Sequence, residues 1–240
     1  MCETIKKDDQ YVRSGRSALL LIPGLGLSSA IFQKLELTDY DLIFLEWIAP
    51  KLKETIESYS QRLIADTDLT NYNSVSILGH SMGGIIAQEI AQIISIDHLF
   101  LVSTIMNAIE KPKKFHLIKR MPNFLLKKSK WFIRWSFPFW AIKHGYTSKT
   151  LRNIFKQSVF SLPPYYFYWS MVQILSWSGT ALNCSVFRIQ GCLDKTFPAS
   201  LIVTDVTLLK EGDHMMIFNQ ADDISKLINN YSKNSRLPYE

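Results

Sequence analysis

Residues 75–85 read Val-Ser-Ile-Leu-Gly-His-Ser-Met-Gly-Gly-Ile, a β-branched apolar run that breaks into Gly79-His80-Ser81-Met82-Gly83. The G-x-S-x-G spacing means little alone. Here a predicted strand, Ser74–Leu78, runs into it, and a predicted helix, Met82–Ile94, leaves it with Ile85, Ile86, Ile90 and Ile93 on its apolar face. So tight a strand-to-helix turn strains the serine backbone and lifts its hydroxyl above the sheet edge. Small residues two before and two after the serine keep neighbouring side chains out of that turn. The first amides of the helix point at whatever the serine attacks. Ser81 is therefore the candidate nucleophile.

Outward from this point, apolar runs and helical spacings alternate. Ser17–Ile22, Tyr40–Trp47, Asp97–Ser103, Val186–Gln190 and Val203–Leu209 read as further strands. Ser28–Leu35, Glu54–Asp66 and Ala221–Tyr231 read as helices. Alternation of this kind implies parallel pairing with right-handed crossovers, hence an α/β class chain with a doubly wound, mostly parallel sheet.

The alternation stops between Ile105 and Leu182, which looks helical and is punctuated by Pro112, Pro122, Pro138 and Pro163-Pro164. The interruption follows the fourth strand, at the carboxyl ends, where an insert would cover Ser81. We expect residues 1–104 and 183–240 to form the core and 105–182 a helical cap. That segment holds 13 of the 27 basic residues and one acid, Glu110, so it carries +12 while the rest of the chain carries −6. It also holds 17 of the 30 aromatic residues, which points to a partner rather than to folding. Trp131, Trp135, Trp140 and Trp169, with Leu25 below, are the candidate lining of an apolar substrate cleft.

A serine hydroxyl is a poor nucleophile without a general base within hydrogen-bond reach. Of five histidines, His214 lies in Glu211-Gly212-Asp213-His214, just past the last predicted strand, where a loop would carry it over the sheet edge. His80 is read as a packing residue pointing away from the site. The base needs an acid to fix its tautomer. Asp194, on the loop after the penultimate predicted strand, is the candidate, with Asp213 and Glu211 as rivals. A developing oxyanion needs backbone donors, each worth roughly 3–4 kcal/mol in the transition state. The amide of Met82 and that of Leu25, in Pro23-Gly24-Leu25-Gly26, are the candidates.

The elements LLLIPGLG, SILGHSMGG, RIQGCLD-x-x-x-P and KEGDH resemble those of the α/β-hydrolase superfamily in content, order and spacing, from Ala18 to the last helix. The resemblance implies Ser81, Asp194 and His214 as nucleophile, acid and base, Leu25 and Met82 as oxyanion donors, and 105–182 as the cap. There are two departures. Pro23-Gly24 stands where His-Gly is common, and little room precedes Ser17 for the usual N-terminal hairpin, which implies a sheet of about six strands. In its basic cap the chain is similar to the small capped carboxylesterases that act on esters held by acyl-carrier protein.

The expected activity is cleavage of a carboxylic ester with an apolar acyl chain, with no cofactor and no metal. An acyl-CoA or acyl-carrier-protein thioesterase is the alternative, and a non-catalytic binding protein of the same fold the alternative of another class. An acidic partner would suit the basic cap: acyl-carrier protein, the phosphates of a CoA ester, or an anionic membrane. Nucleic acid is not expected. With 47% hydrophobic and 20% charged residues the composition is that of a globular protein. Met1–Gln10 lacks the apolar core of a secretory signal, and Ala18–Ile22 is too short to span a bilayer. Three cysteines without framework or metal-ligand spacing suggest a reducing, cytoplasmic setting.

Overall fold

The computed structural model describes residues 15–113, 115 and 129–235, with the backbone alone for 129–134, 164 and 235. Among the described residues six strands form one sheet: β1 (Ser17–Ile22), β2 (Asp41–Phe44), β3 (Ser74–His80), β4 (His98–Val102), β5 (Ser185–Gly191) and β6 (Thr207–Leu209), in the order β2-β1-β3-β4-β5-β6. All five pairings are parallel. The mostly parallel α/β sheet read from the alternation is thus fully parallel among the described residues.

Successive side chains of a strand face opposite sides of the sheet, and both sides are covered, which explains why Ala18–Ile22 of β1 are apolar without alternation. Leu19 and Leu21 join Leu78, Phe100 and Val102 in one buried layer, completed by Met216, Phe218, Ile224 and Ile228 near the C-terminus. Leu20 and Ile22 join Ile77, Leu99 and Leu101 in the other, covered by α1 (Ile56–Ile64) and α2 (Met82–Ile90). Each fully buried Leu or Ile contributes roughly 1.5–3 kcal/mol.

Several boundaries are shorter than the sequence suggested, each for a local reason. Ser28–Leu35 forms a 3-10 turn at Ser29–Phe32, since its amides reach carbonyls three residues back, as Ile31 to Ser28 and Leu35 to Phe32. The helix after Ser81 ends at Ile90 instead of Ile94, because Gln92 and Ile93 also bond three residues back and Ile93 turns outward. β2 is an edge strand matched only to Ala18–Leu21, and β6 starts at Thr207 because the Val203 amide is taken by Glu110 Oε1 at 3.3 Å.

Between β4 and β5 the described chain contains α3 (Ser129–Trp140), α4 (Lys149–Ser161) and α5 (Pro164–Ser176). The two roots of this insert are tied together. Asn107 bridges Gly179, and Lys111 donates through Nζ to the carbonyls of Leu175, at 3.1 Å, and Trp177. Glu110, buried beside them, takes the Arg188 guanidinium of β5 in a two-pronged pair at 2.8 and 2.9 Å. Lys111, one of the 13 basic residues of the insert, is therefore an internal clasp and not a surface charge. Of the others, Lys114, Lys119, Arg120, Lys127 and Lys128 lie outside the described residues, as do the side chains of Lys130 and Arg134. The chain closes with α6 (Met216–Asn219) and α7 (Ala221–Ser235). No helix among the described residues is long and apolar enough to cross a membrane.

Candidate active site

β3 delivers Ser81 at φ 54°, ψ −122°, a left-handed conformation rare for a residue with a side chain. Close packing enforces it. A Cβ on Gly83 would lie 2.2 Å from the Ile22 carbonyl oxygen, and one on Gly79 2.5 Å from the Gly84 Cα. Only glycines let α2 descend this close to β1 and β3. Three hydrogen bonds then hold the strained residue. Its amide donates to Val102 O (3.0 Å), and its carbonyl accepts from the Gly84 amide (2.9 Å) and from Thr104 Oγ1 (2.6 Å).

The loop after β6 brings His214 over the same edge, with Nε2 at 3.0 Å from Ser81 Oγ. Its Nδ1 lies 2.8 Å from Asp194 Oδ2, on the loop after β5. A carboxylate can only accept, so Nδ1–H donates, and Nε2 is left bare to accept the serine proton. Asp194 is itself fully engaged. Its Oδ2 also accepts from Gln190 Nε2 at 2.8 Å, and its Oδ1 accepts the amides of Thr196 (2.7 Å) and Phe197 (2.9 Å). Burial opposes ionisation of this carboxyl, but the adjacent His214 and these donors outweigh it and hold the group below the usual carboxylate range. The structure thus brings Ser81, His214 and Asp194 into one hydrogen-bonded line. The rivals lie elsewhere. Asp213 caps the turn at Met215 and receives Asn219 Nδ2, while Glu211 is exposed.

Two contributions escaped the sequence reading. His80 does not point away from the site. It is fully buried, its ring centre is 5.3 Å from that of His214, and its Nε2–H donates to the His214 carbonyl at 2.9 Å. Burial first, and then the neighbouring His214, push its imidazole down to about 3, so it stays neutral. Gln190 was also unassigned. It anchors Asp194 while donating to Phe197 O at 2.8 Å, which stiffens the loop between them. The signal available was an amide one place from the end of a strand that runs into the Asp194 loop.

Leu25 lies in the loop after β1, whose Gly24 carbonyl accepts Trp47 Nε1 at 3.1 Å and the Leu27 amide at 3.0 Å. A Cβ on Gly24 would meet His80 Nδ1 at 2.8 Å, so this loop rests directly on the elbow. Met82 opens α2 immediately after Ser81. Above them lies a cavity of about 350 Å³, walled by aromatic and aliphatic side chains that include Phe115, Tyr146, Phe155, Phe167, Met171 and Ile174. Ser81 and His214 open onto it, and His144 is bonded there to Thr196 Oγ1 at 2.8 Å.

Of the expected lining residues, Leu25 and Trp140 border this cavity. Trp169 does not. It is buried against Tyr59, with Nε1 donating to Glu54 O at 2.7 Å, because α5 uses that face to pack on α1. Trp135 is on the outer surface of α3, and the Trp131 side chain lies outside the described residues.

No protein-family model matches the chain, and no curated protein sequence does so. Solved structures do match over nearly the whole length. An esterase from Exiguobacterium antarcticum superposes with a TM-score of 0.74 at 13% identity, covering 92% of this chain and 93% of that one. A thermophilic esterase from Thermogutta terrifontis gives 0.68 at 16%, covering 93% and 92%. The enol-lactonase from Burkholderia xenovorans gives 0.66 at 14%, covering 92% of each. The chain has the α/β-hydrolase fold.

Proposed function

We propose that this protein is a serine hydrolase that cleaves a carboxylic ester with an apolar acyl chain. The observation that carries the reading is the Ser81–His214–Asp194 hydrogen-bonded line at the floor of an apolar cavity. Similarity of fold to the two esterases is in keeping with it. Ser81 Oγ attacks the acyl carbon as its proton passes to His214 Nε2, and Asp194 steadies the imidazolium. The amides of Leu25 and Met82 receive the oxyanion. The protonated Nε2 then returns its proton to the leaving alkoxide, and the acyl chain stays on Ser81. A water molecule, deprotonated by the same nitrogen, releases the acid and restores Ser81. No metal or organic cofactor takes part in these steps.

In this reading 105–182 is the cap, the acyl chain lies among Phe155, Phe167, Met171 and Ile174, and the setting is the cytoplasm. The test is turnover of p-nitrophenyl esters of increasing acyl length, with Ser81→Ala in parallel. Loss of about 10⁴-fold or more in kcat for the variant at unchanged folding is expected, with an optimum of chain length set by the cavity. Substantial residual activity would remove Ser81 from the mechanism. Activity confined to acyl-thioesters would replace the ester substrate by the thioester one.

A further inference from the structure

Between Glu110 and Asp194 the chain contains no acidic residue. The outer surface of the insert is as unusual in its apolar content. Phe139 is 80% exposed, Ile142 65%, Trp135 60% and Phe160 51%, and the Trp135 and Phe139 rings are 5.8 Å apart. Of the exposed Trp and Phe side chains among the described residues, only Phe44 lies outside the insert. Lys143, Lys149 and Lys156 are exposed on the same elements. A groove of about 260 Å³ between α3 and α4 is walled by Phe137, Pro138, Phe155, Val159 and Phe160, with Lys156 at its edge. Phe155 also walls the cavity above Ser81, and it stacks on Phe137 at 4.5 Å between centroids. The groove and the cavity thus share a wall.

We propose that this face of the insert docks on an anionic lipid bilayer, the groove receiving an acyl chain beside the substrate cavity. An interfacial surface needs apolar and aromatic side chains to enter the acyl boundary and cations to meet phosphate headgroups, with no carboxylates to repel them. All three conditions hold for the insert's own residues; the core carboxylate that lies against Gly145, Asp213, is half-buried and accepts the Met215 amide and Asn219 Nδ2. An acidic protein would meet the lysines, but it gives no reason for an apolar groove that abuts the cavity wall. Docking stands independently of the hydrolase reading; that the bilayer supplies a lipid ester to Ser81 rests on it.

The test is cosedimentation of the full chain with phosphatidylcholine vesicles, with and without phosphatidylglycerol, at low and high salt. Binding is expected only to the phosphatidylglycerol vesicles, weakening as salt rises. Phe139→Ser with Ile142→Ser, and separately Lys143→Glu with Lys156→Glu, should each weaken it about tenfold or more. These side chains are exposed, so circular dichroism and turnover of a short neutral ester should match the parent. Ser81→Ala should bind vesicles as the parent does, which separates failure of docking from failure of the catalytic reading. Absence of binding to phosphatidylglycerol vesicles, equal binding by the variants, or capture by an acidic carrier protein without vesicle binding would overturn the proposal.

Discussion

Ser81 sits in a conformation that costs on the order of 1–3 kcal/mol, and the residues around it are arranged to hold it there. His80, next to it in the chain, holds the His214 carbonyl instead, and its burial has a consequence in acid. Above its ordinary value of 6.5 the imidazole is neutral whether the chain is folded or not. Below that value the unfolded chain takes a proton, while the folded chain, with His80 held near 3, does not. Stability should therefore fall as pH drops through this window, by up to about 1.4 kcal/mol per pH unit. The depressed Asp194 carboxyl adds nothing here, since its contribution is lost only at lower pH, within and below the carboxylate range. His80→Gln keeps a donor for the His214 carbonyl but cannot titrate. Urea midpoints at about pH 7.5 and pH 5 should show a shallower pH dependence for the variant, by about 2 kcal/mol between them. Parallel slopes would mean that His80 does not resist protonation. Ser81, Asp194 and His214 were visible in the sequence because each follows a strand end with its own turn residues. The role of His80 was not, because its partner is a carbonyl 134 residues away that only the closed sheet edge brings near. Gln190 bonds only to Asp194 and Phe197, 4 and 7 residues further on, but nothing local in the strand shows which way its amide turns.

At the level of elements, the insert meets the core through buried charge. Arg188 and Glu110 are both almost completely buried, and Arg188 Nη2 also donates to Thr104 O at 3.2 Å, one strand end away from Ser81. Removing one partner leaves an uncompensated ion in a dry site, so Glu110→Leu should cost about 3–5 kcal/mol in denaturant unfolding. The double variant Glu110→Leu with Arg188→Met replaces the pair by apolar groups and should recover much of that loss. The Glu110 carboxylate also accepts the amides of Met106, at 2.8 Å, and Val203, and an equal loss in single and double variants would show that these bonds, not the charge pair, carry the stability. Alternation of period made the strands legible, and the fold followed from it. The edge strands and the turn at Ser29–Phe32 were overestimated, since apolar residues continue past the point where a neighbour can pair with them. The joint between insert and core had no local signature. Glu110 and Arg188 are 78 positions apart, and each looks like an ordinary charged residue in its own segment.

Across the whole molecule, charge is divided rather than merely positive: the net +6 is the difference between a strongly basic insert and an acidic remainder. This division was legible from composition. Which aromatic residues face the cavity was not, because Trp169, Trp140 and Trp135 occupy the same kind of helical sequence. Their fates, buried on α1, lining the cavity and exposed on the surface, are decided by which neighbour each helix face meets. Side chains of the basic insert line the cavity above Ser81, so the field there should favour anionic substrates during approach. A substrate ester ending in a carboxylate and a neutral ester of equal length provide the comparison. Raising salt from low ionic strength to about 0.5 M shortens the screening length to about 4–5 Å. KM for the anionic ester should then rise severalfold, while KM for the neutral one stays level and kcat for both is unchanged. The sign follows from the insert: a field dominated by the acidic remainder would lower KM for the anionic ester instead. Equal salt responses for the two esters would show that the insert's charge acts only at the outer surface and does not reach the cavity.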